Sequence, residues 1–169
     1  MGIIDDVLVG AASVGEGEDL ARVELILGPR GSSVETAFCQ AFVNGNHFSS
    51  LAVVSPDLSS RPYTVVFNKM PFTDSNRGVE LFELVQAAVA AAVVDCVEDG
   101  IIPVEEVDEF FLCVGVFVRE KTANERNMQD NYHKAVKSAV KRAISREPKV
   151  SDVLIRREAI RPSLRVYSG

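Results

Sequence analysis

The stretch "ARVELILGPRGSSVETAF", residues 21–38, runs from an alternating segment through a glycine- and proline-containing turn into a helical pattern. Apolar side chains in its first part alternate with Arg22 and Glu24, which is the spacing of a half-buried strand. Successive side chains of a strand point to opposite faces, so Arg22 and Glu24 share one face. The pattern therefore predicts a strand over residues 21–27 with one charged face.

The turn "GPRGSS" that follows has two interpretations. Glycines and Arg30 ahead of a helix N-terminus are typical of an anion cradle. The turn lacks the terminal lysine of a phosphate-binding loop and the spacing of a dinucleotide fingerprint, so the local pattern favours a structural turn. Ser32 and Glu35 have the spacing of a capping box, which predicts a helix over residues 33–43.

The rest of the chain alternates strand and helix patterns, and its 169 residues with 47% hydrophobic content fit one α/β domain. Further strands are predicted over 8–12, 50–55, 64–68 and 110–118, and further helices over 75–99 and 124–145. The 50–55 and 64–68 strands are expected to form a hairpin, and 110–118 to be central. We expect residues 1–150 to form the domain, and the basic tail 151–169 to pack on it or on a neighbouring subunit.

Two features of the sequence bear on where the chain works. It contains no run of roughly 20 apolar residues and no secretory signal at its start, so we expect a cytoplasmic location. Its three cysteines are widely spaced in apolar surroundings, which favours buried, reduced thiols without disulfide or zinc.

The net charge of -6 conceals an asymmetry. Residues 1–118 carry 5 basic and 18 acidic side chains, whereas residues 119–169 carry 13 basic and 6 acidic. This pattern favours complementary surfaces that meet within the fold or between subunits. A nucleic-acid-binding basic helix is a weaker alternative, because the strands lack a pattern of stacking aromatic residues. We expect neither a nucleic acid nor a membrane as partner.

Few side chains suggest chemistry on their own. His47 and His133 are not at metal-ligand spacing, and no nucleophile elbow is present. Lys69 ends an apolar strand, so its amine must reach either solvent or a partner such as an anionic or carbonyl-bearing ligand. Gln86 lies on the apolar face of a predicted helix, where its amide must bond either to backbone or to a ligand.

Several blocks occur together in a specific order: "LILGPRGSSVETAF", "FSSLAVVSPDL", "VFNK", "EDGIIP" and "VGVFV". In order and spacing they resemble the formaldehyde-activating enzyme family over about residues 7–148. The resemblance implies condensation of formaldehyde with tetrahydromethanopterin to the methylene derivative and water. It also implies a two-layer α/β fold like domain 2 of ribosomal protein S5, a homopentamer, a pterin cleft between subunits, and neither a metal nor a covalently bound cofactor.

The resemblance also assigns site residues. The position of the family's proposed catalytic histidine, a general acid in the strand before the turn, is Arg22 here. The other ligand-contacting positions fall on Glu24, Leu51, Lys69 and Gln86. Glu24 stands where relatives have an aspartate, and Pro71 where they have a threonine.

Arg22 separates two hypotheses about function. Arginine stays protonated near pH 7 and cannot act as a general acid, although it can hold a carbonyl or an anion. One hypothesis is an enzyme that still condenses formaldehyde with a reduced pterin, helped by bringing the reactants together. The other is a catalytically impaired paralogue that binds, senses or regulates a one-carbon carrier or formaldehyde.

Overall fold

The near-continuous apolar segment "FFLCVGV" forms the middle strand of a five-stranded mixed sheet, as predicted. In the computed structural model, residues 2, 4–44, 48–73, 75–122 and 124–164 are described. The elements are β1 (Leu8–Val14), β2 (Ala21–Pro29), α1 (Ser33–Asn44), β3 (Ser49–Leu51), β4 (Val53–Ser55), β5 (Leu58–Ser59), β6 (Thr64–Asn68), α2 (Ser75–Glu98), β7 (Phe110–Val116), α3 (Glu125–Ile144) and α4 (Val150–Leu164).

The sheet has the order β1-β2-β7-β6-β3. Strands β6 and β7 are parallel, and the other neighbouring pairs are antiparallel. The predicted hairpin is confirmed in part, because β3 pairs with β6 but the chain then changes partner. The backbone of Ala52 bonds to both Thr64 and Ser60, and β4 pairs with β5 in a separate small sheet.

The main core lies between one face of the sheet and helices α2 and α3. Apolar residues at helical spacing on α3, including Ala135, Val136 and Ala139, are fully buried against it. Helix α1 covers part of the opposite face and forms a second, smaller core with Phe38 and Phe111. The chain is thus a single-domain α/β fold in which part of one sheet face stays open beside α1.

Ion pairs join the acidic and basic halves of the chain. Lys137 on α3 lies 2.6 Å from Asp99, and Arg146 lies 3.9 Å from Asp5. These pairs agree with the expectation of complementary surfaces within the fold. Within the described ranges, every helix is too short or too polar to cross a membrane.

Two local expectations need revision. The sequence pattern predicts no helix over the tail, yet α4 is a helix of 15 residues. Cys39 was expected to be buried and is exposed on α1, whereas Cys96 and Cys113 are buried. Burial raises the pKa of the Cys96 thiol to about 12 and that of Cys113 to about 11.

Candidate functional site

The open part of the sheet carries the charged face of β2. Along this strand buried residues alternate with Arg22 and Glu24, as the sequence predicts. The register places Glu24 opposite Gly115 of β7, and Gly115 opposite Phe67 of β6. The open surface therefore extends from β2 across β7 to β6.

Glu24 is held by two cations. One terminal nitrogen of Arg22 donates to Oε1 of Glu24 at 2.7 Å, and Nζ of Lys69 donates to Oε2. Lys69 follows β6, so its side chain must cross β7 to reach β2. It crosses at Gly115, where an added Cβ would lie 3.1 Å from Cδ of Lys69. The absence of a side chain at Gly115 thus makes room for the Lys69–Glu24 pair.

An aromatic ring completes the cluster. The guanidinium carbon of Arg22 lies 4.7 Å from the ring centroid of Phe117, and Nζ of Lys69 lies 5.3 Å from it. Both distances are in the range of cation–π contacts. Sequence analysis missed Phe117 and Gly115, although their two-residue spacing in "VGVFV" puts them on one strand face. Only the pairing of β7 with β2 shows which charged residues that face meets.

The two cations fix the charge of this cluster. Hydrogen bonds from Lys69 and then Arg22 hold the pKa of the Glu24 carboxyl below its ordinary value of 4.5. Arginine and lysine are both protonated near neutral pH. The cluster therefore carries one net positive charge, without a side chain that exchanges a proton near pH 7. It can orient a carbonyl oxygen or an anion over Phe117, but it cannot shuttle protons.

Tyr132 supports the cluster from the layer beneath. Its side chain on α3 is 1% exposed, and its hydroxyl lies beside the backbone of Phe117 and Arg22. Among the described residues this hydroxyl makes no hydrogen bond of good geometry. Burial raises the pKa of Tyr132, so its hydroxyl stays protonated. Tyr132 therefore contributes packing below the strands that carry the charged residues.

Leu51, another predicted site residue, faces the same side of the sheet but lies farther away. It pairs with Val65 of β6, which is four residues before Lys69, or about 13 Å along an extended chain. Leu51 is half-buried beside α1 and lines a shallow pocket with Phe38 and Phe111. Within one copy of the chain it does not join the charged cluster.

Gln86 lies in the other layer of the fold. Its Oε1 accepts a hydrogen bond from the Val53 backbone N–H at 3.0 Å, and its side-chain nitrogen is 3.5 Å from the Val53 oxygen. Only 6% of Gln86 is exposed. Of the two alternatives for a buried amide, the structure has the backbone-bonded one, so Gln86 ties α2 to β4.

The turn ahead of α1 is a structural corner. The carboxylate of Glu35 accepts a hydrogen bond from the Gly31 N–H at 2.5 Å, and Ser32 Oγ accepts one from Val34 at 3.3 Å. Arg30 donates through Nε to the Asp108 carbonyl at 2.7 Å. Because acceptors of the protein already occupy these donors, the geometry favours the structural interpretation over an anion cradle.

No metal centre is apparent among the residues that the structure describes, where no three His, Cys, Asp or Glu side chains are grouped to hold an ion. Nε2 of His133 lies 2.6 Å from a carboxylate oxygen of Asp95, at the contact between α3 and α2. His47 lies outside the described residues.

Comparison with known proteins gives consistent matches. The sequence profile of the family described as formaldehyde-activating enzyme matches residues 9–164. The 5,6,7,8-tetrahydromethanopterin hydro-lyase of Methanosarcina barkeri is 34% identical over 154 residues, which cover 90% of this chain and 86% of that protein. The bifunctional enzyme Fae/Hps of Archaeoglobus fulgidus is 37% identical over 152 residues, or 89% of this chain but only 39% of that protein. The corresponding match in Methanosarcina acetivorans is 31% identical and spans 38% of its length.

Proposed function

The chain belongs to the formaldehyde-activating enzyme family, and we propose that it acts in one-carbon metabolism by binding a tetrahydromethanopterin-like reduced pterin and formaldehyde. The observation that carries this proposal is the assembly of Arg22, Glu24 and Lys69 around the Phe117 ring. These three charged residues occupy ligand-contacting positions by resemblance to the family. An aromatic ring beside two cations is also suited to a planar, polar ligand.

Condensation of the two reactants to the methylene derivative and water would here rest on positioning. Holding two reactants in the right geometry removes part of the barrier without any proton transfer. Arg22 and Lys69 can polarise the formaldehyde oxygen electrostatically, but neither gives up a proton near pH 7. We therefore propose an activity above the spontaneous rate that lacks the contribution of general acid catalysis, which is typically 10²–10⁴-fold.

A second candidate is a catalytically impaired paralogue that binds, senses or regulates a pterin or formaldehyde. One observation favours it: Arg22 and Lys69 are both already paired with Glu24 within the cluster. A ligand must displace or share these ion pairs, and no proton donor remains to speed the chemistry. The two candidates share a binding site and differ in turnover.

The proposed ligand cleft lies between subunits of a homo-oligomer, which the resemblance implies to be a pentamer. A cleft of this kind accounts for the separation of Leu51 and Gln86 from the charged cluster, because a neighbouring copy would supply the second wall. Gln86 would contribute there through the Val53 segment that it holds. We further propose a cytoplasmic location and a pterin that is bound as substrate, with no covalent cofactor and no metal.

The test is the rate at which formaldehyde consumes tetrahydromethanopterin above the spontaneous rate, measured with the parent chain and with Arg22→His. The enzyme proposal predicts acceleration by the parent and faster turnover by the variant, which regains a titratable group. Pterin binding without acceleration by the parent would leave only the second candidate. No binding of the pterin to the parent would sink both.

Lys69→Ala tests the site itself, and Lys141→Ala, an exposed lysine of α3, serves as its matched control. We expect Lys69→Ala to weaken pterin binding in a titration followed by pterin absorbance, because it removes one of the two cations beside Phe117. We expect Lys141→Ala to bind like the parent. Equal binding by all three proteins would remove Lys69 from the site.

A further inference from the structure

A second depression borders the charged cluster on the same side of the sheet. It has a volume of about 260 Å³ and lies between the second half of α1 and the strands β3 and β6. Its polar lining comprises Gln40 and Asn44 of α1, Ser49 of β3 and Asn68 of β6, and Phe67 adds an aromatic ring. A pocket of this size accommodates one part of a ligand rather than a whole drug-sized molecule.

The depression and the charged cluster meet at Gly115. A Cβ added to this glycine would lie 3.2 Å from the Phe67 ring and 3.1 Å from Cδ of Lys69. Phe67 therefore lines the depression and also lies beside the Lys69 side chain. From β2, which carries Glu24, to β6 is two strand spacings, or about 10 Å. A fused two-ring heterocycle is comparable in length, so one such ligand can contact both places.

Two of the four polar side chains in this lining are engaged, and two are available. Asn68 and Ser49 both form hydrogen bonds to backbone atoms of the domain. Within the ranges that the structure describes, the amides of Gln40 and Asn44 make no hydrogen bond, and both residues are exposed. They are four residues apart on α1, so they lie on the same side of that helix. The depression thus presents two adjacent carboxamides to a ligand.

The chemistry of the depression differs from that of the charged cluster. No residue that the structure places in its lining is ionisable, so its hydrogen bonds suit a neutral group. A carboxamide offers a donor and an acceptor side by side, which is how Asn and Gln bind the edge of adenine. Two carboxamides beside an aromatic ring are therefore suited to the edge of a neutral heterocycle with adjacent donors and acceptors.

We propose that Gln40 and Asn44 are specificity-determining residues, whose amides bind the pyrimidine edge of a reduced pterin while its reduced ring lies over the charged cluster. A pterin has a carbonyl oxygen, ring nitrogens and an exocyclic amino group along this edge, which match the donors and acceptors of two amides. The assignment rests on the proposed function and adds which end of the heterocycle lies against α1. It predicts discrimination against heterocycles that lack the exocyclic amino group, because an amide oxygen then loses its donor.

Titration with tetrahydromethanopterin tests the two amides. Gln40→Met and Asn44→Leu each remove an amide at similar side-chain volume, and each should weaken binding about three- to tenfold. Asn127→Leu removes an exposed amide from α3, on the other side of the sheet, so this matched control should bind like the parent. Urea unfolding of all three variants should match that of the parent. Weaker binding only in variants that also unfold at lower urea concentration would indicate a structural role and contradict the assignment.

Competition between two small probes tests which edge is bound. One probe is 6-methyltetrahydropterin, and the other is its analogue without the exocyclic amino group. The first should displace tetrahydromethanopterin from the parent more effectively than the second, and the double variant Gln40→Met/Asn44→Leu should lose this preference. Equal displacement from the parent would overturn the assignment.

The outcomes also separate this assignment from the proposed function. Failure of the parent to bind tetrahydromethanopterin would refute both. If the parent binds it, and Lys69→Ala weakens binding while Gln40→Met and Asn44→Leu leave it unchanged, the pterin site stands and only the role of α1 is refuted.

Discussion

We predict that Gly115 lowers the pKa of the Glu24 carboxyl by leaving room for the side chain of Lys69. An added Cβ at this position would lie 3.1 Å from Cδ and 3.2 Å from Cε of Lys69, and 3.2 Å from Phe67. These distances are shorter than most Cβ contacts in proteins, but the lysine side chain is flexible and can move away. The methyl groups of Gly115→Val would occupy the path by which Lys69 crosses β7. We therefore expect this substitution to separate Lys69 from Glu24.

The expected change in stability is small. An exposed ion pair contributes about 0.2–1 kcal/mol to the free energy of unfolding. Replacing a glycine inside a strand raises the free energy of unfolding by a similar amount, roughly 0.5–1 kcal/mol. The two effects oppose each other, so the free energy of unfolding of Gly115→Val in urea should stay within about 1 kcal/mol of that of the parent. The pKa of Glu24 should nevertheless rise, because Lys69 is the first cause of its depression.

The assay is a pH titration of the Glu24 side-chain carboxyl by carbon-13 NMR. Lys69→Met is the reference, since it removes the ammonium directly and should raise the same pKa. If Gly115→Val acts only through Lys69, the double variant with Lys69→Met should have the same Glu24 pKa as Lys69→Met alone. A Glu24 pKa in Gly115→Val equal to that of the parent would refute the reasoning, because Lys69 would then reach Glu24 by another path.

Three further predictions concern the rest of the chain. Gln86→Leu should lower the free energy of unfolding in urea by about 1–3 kcal/mol, because it leaves the Val53 N–H without its hydrogen bond. The control Gln40→Leu, at an exposed position, should change this free energy by less than about 0.5 kcal/mol. A thiol reagent at pH 8 should modify Cys39 rapidly and the two buried cysteines only after unfolding, and three fast equivalents in the native protein would contradict this. Glu24→Gln should have a lower free energy of unfolding than the parent at pH 7. Because the pKa of Glu24 is depressed in the folded state, this difference should be fully present above pH 4.5 and should shrink as the pH falls through the depressed pKa. A difference that does not change with pH would argue against the ion pairs.

Local patterns were sufficient to predict most of the strands and helices. The alternation around Arg22 gave β2 its charged face, and the spacing of Ser32 and Glu35 located the start of α1. Gly100, two residues after the end of α2, has φ +71°, the left-handed conformation that glycine adopts at helix ends. Each of these features depends on residues within one or two turns of each other.

The contacts of the site were not predictable in this way. Lys69 and Glu24 are 45 residues apart, and their meeting depends on the order β2-β7-β6 and on the glycine between them. The resemblance to a family identified both as site residues without indicating that they pair. Helix α4 was missed because its apolar residues have no strong amphipathic pattern and no core of its own chain to face.

Arg22, at the position where the resemblance implies a proton donor, also determines the partners of Glu24. Its guanidinium donates to Oε1 of Glu24 and Lys69 donates to Oε2, so each oxygen of the carboxylate already has a charged partner. A histidine at this position would instead combine a titratable ring with an adjacent carboxylate, which raises the pKa of an imidazole and favours its acid form. In this chain the same carboxylate serves to fix two permanent cations beside Phe117. We propose that Arg22, at the position where the resemblance implies a proton-donating histidine, makes this part of the sheet an electrostatic binding surface.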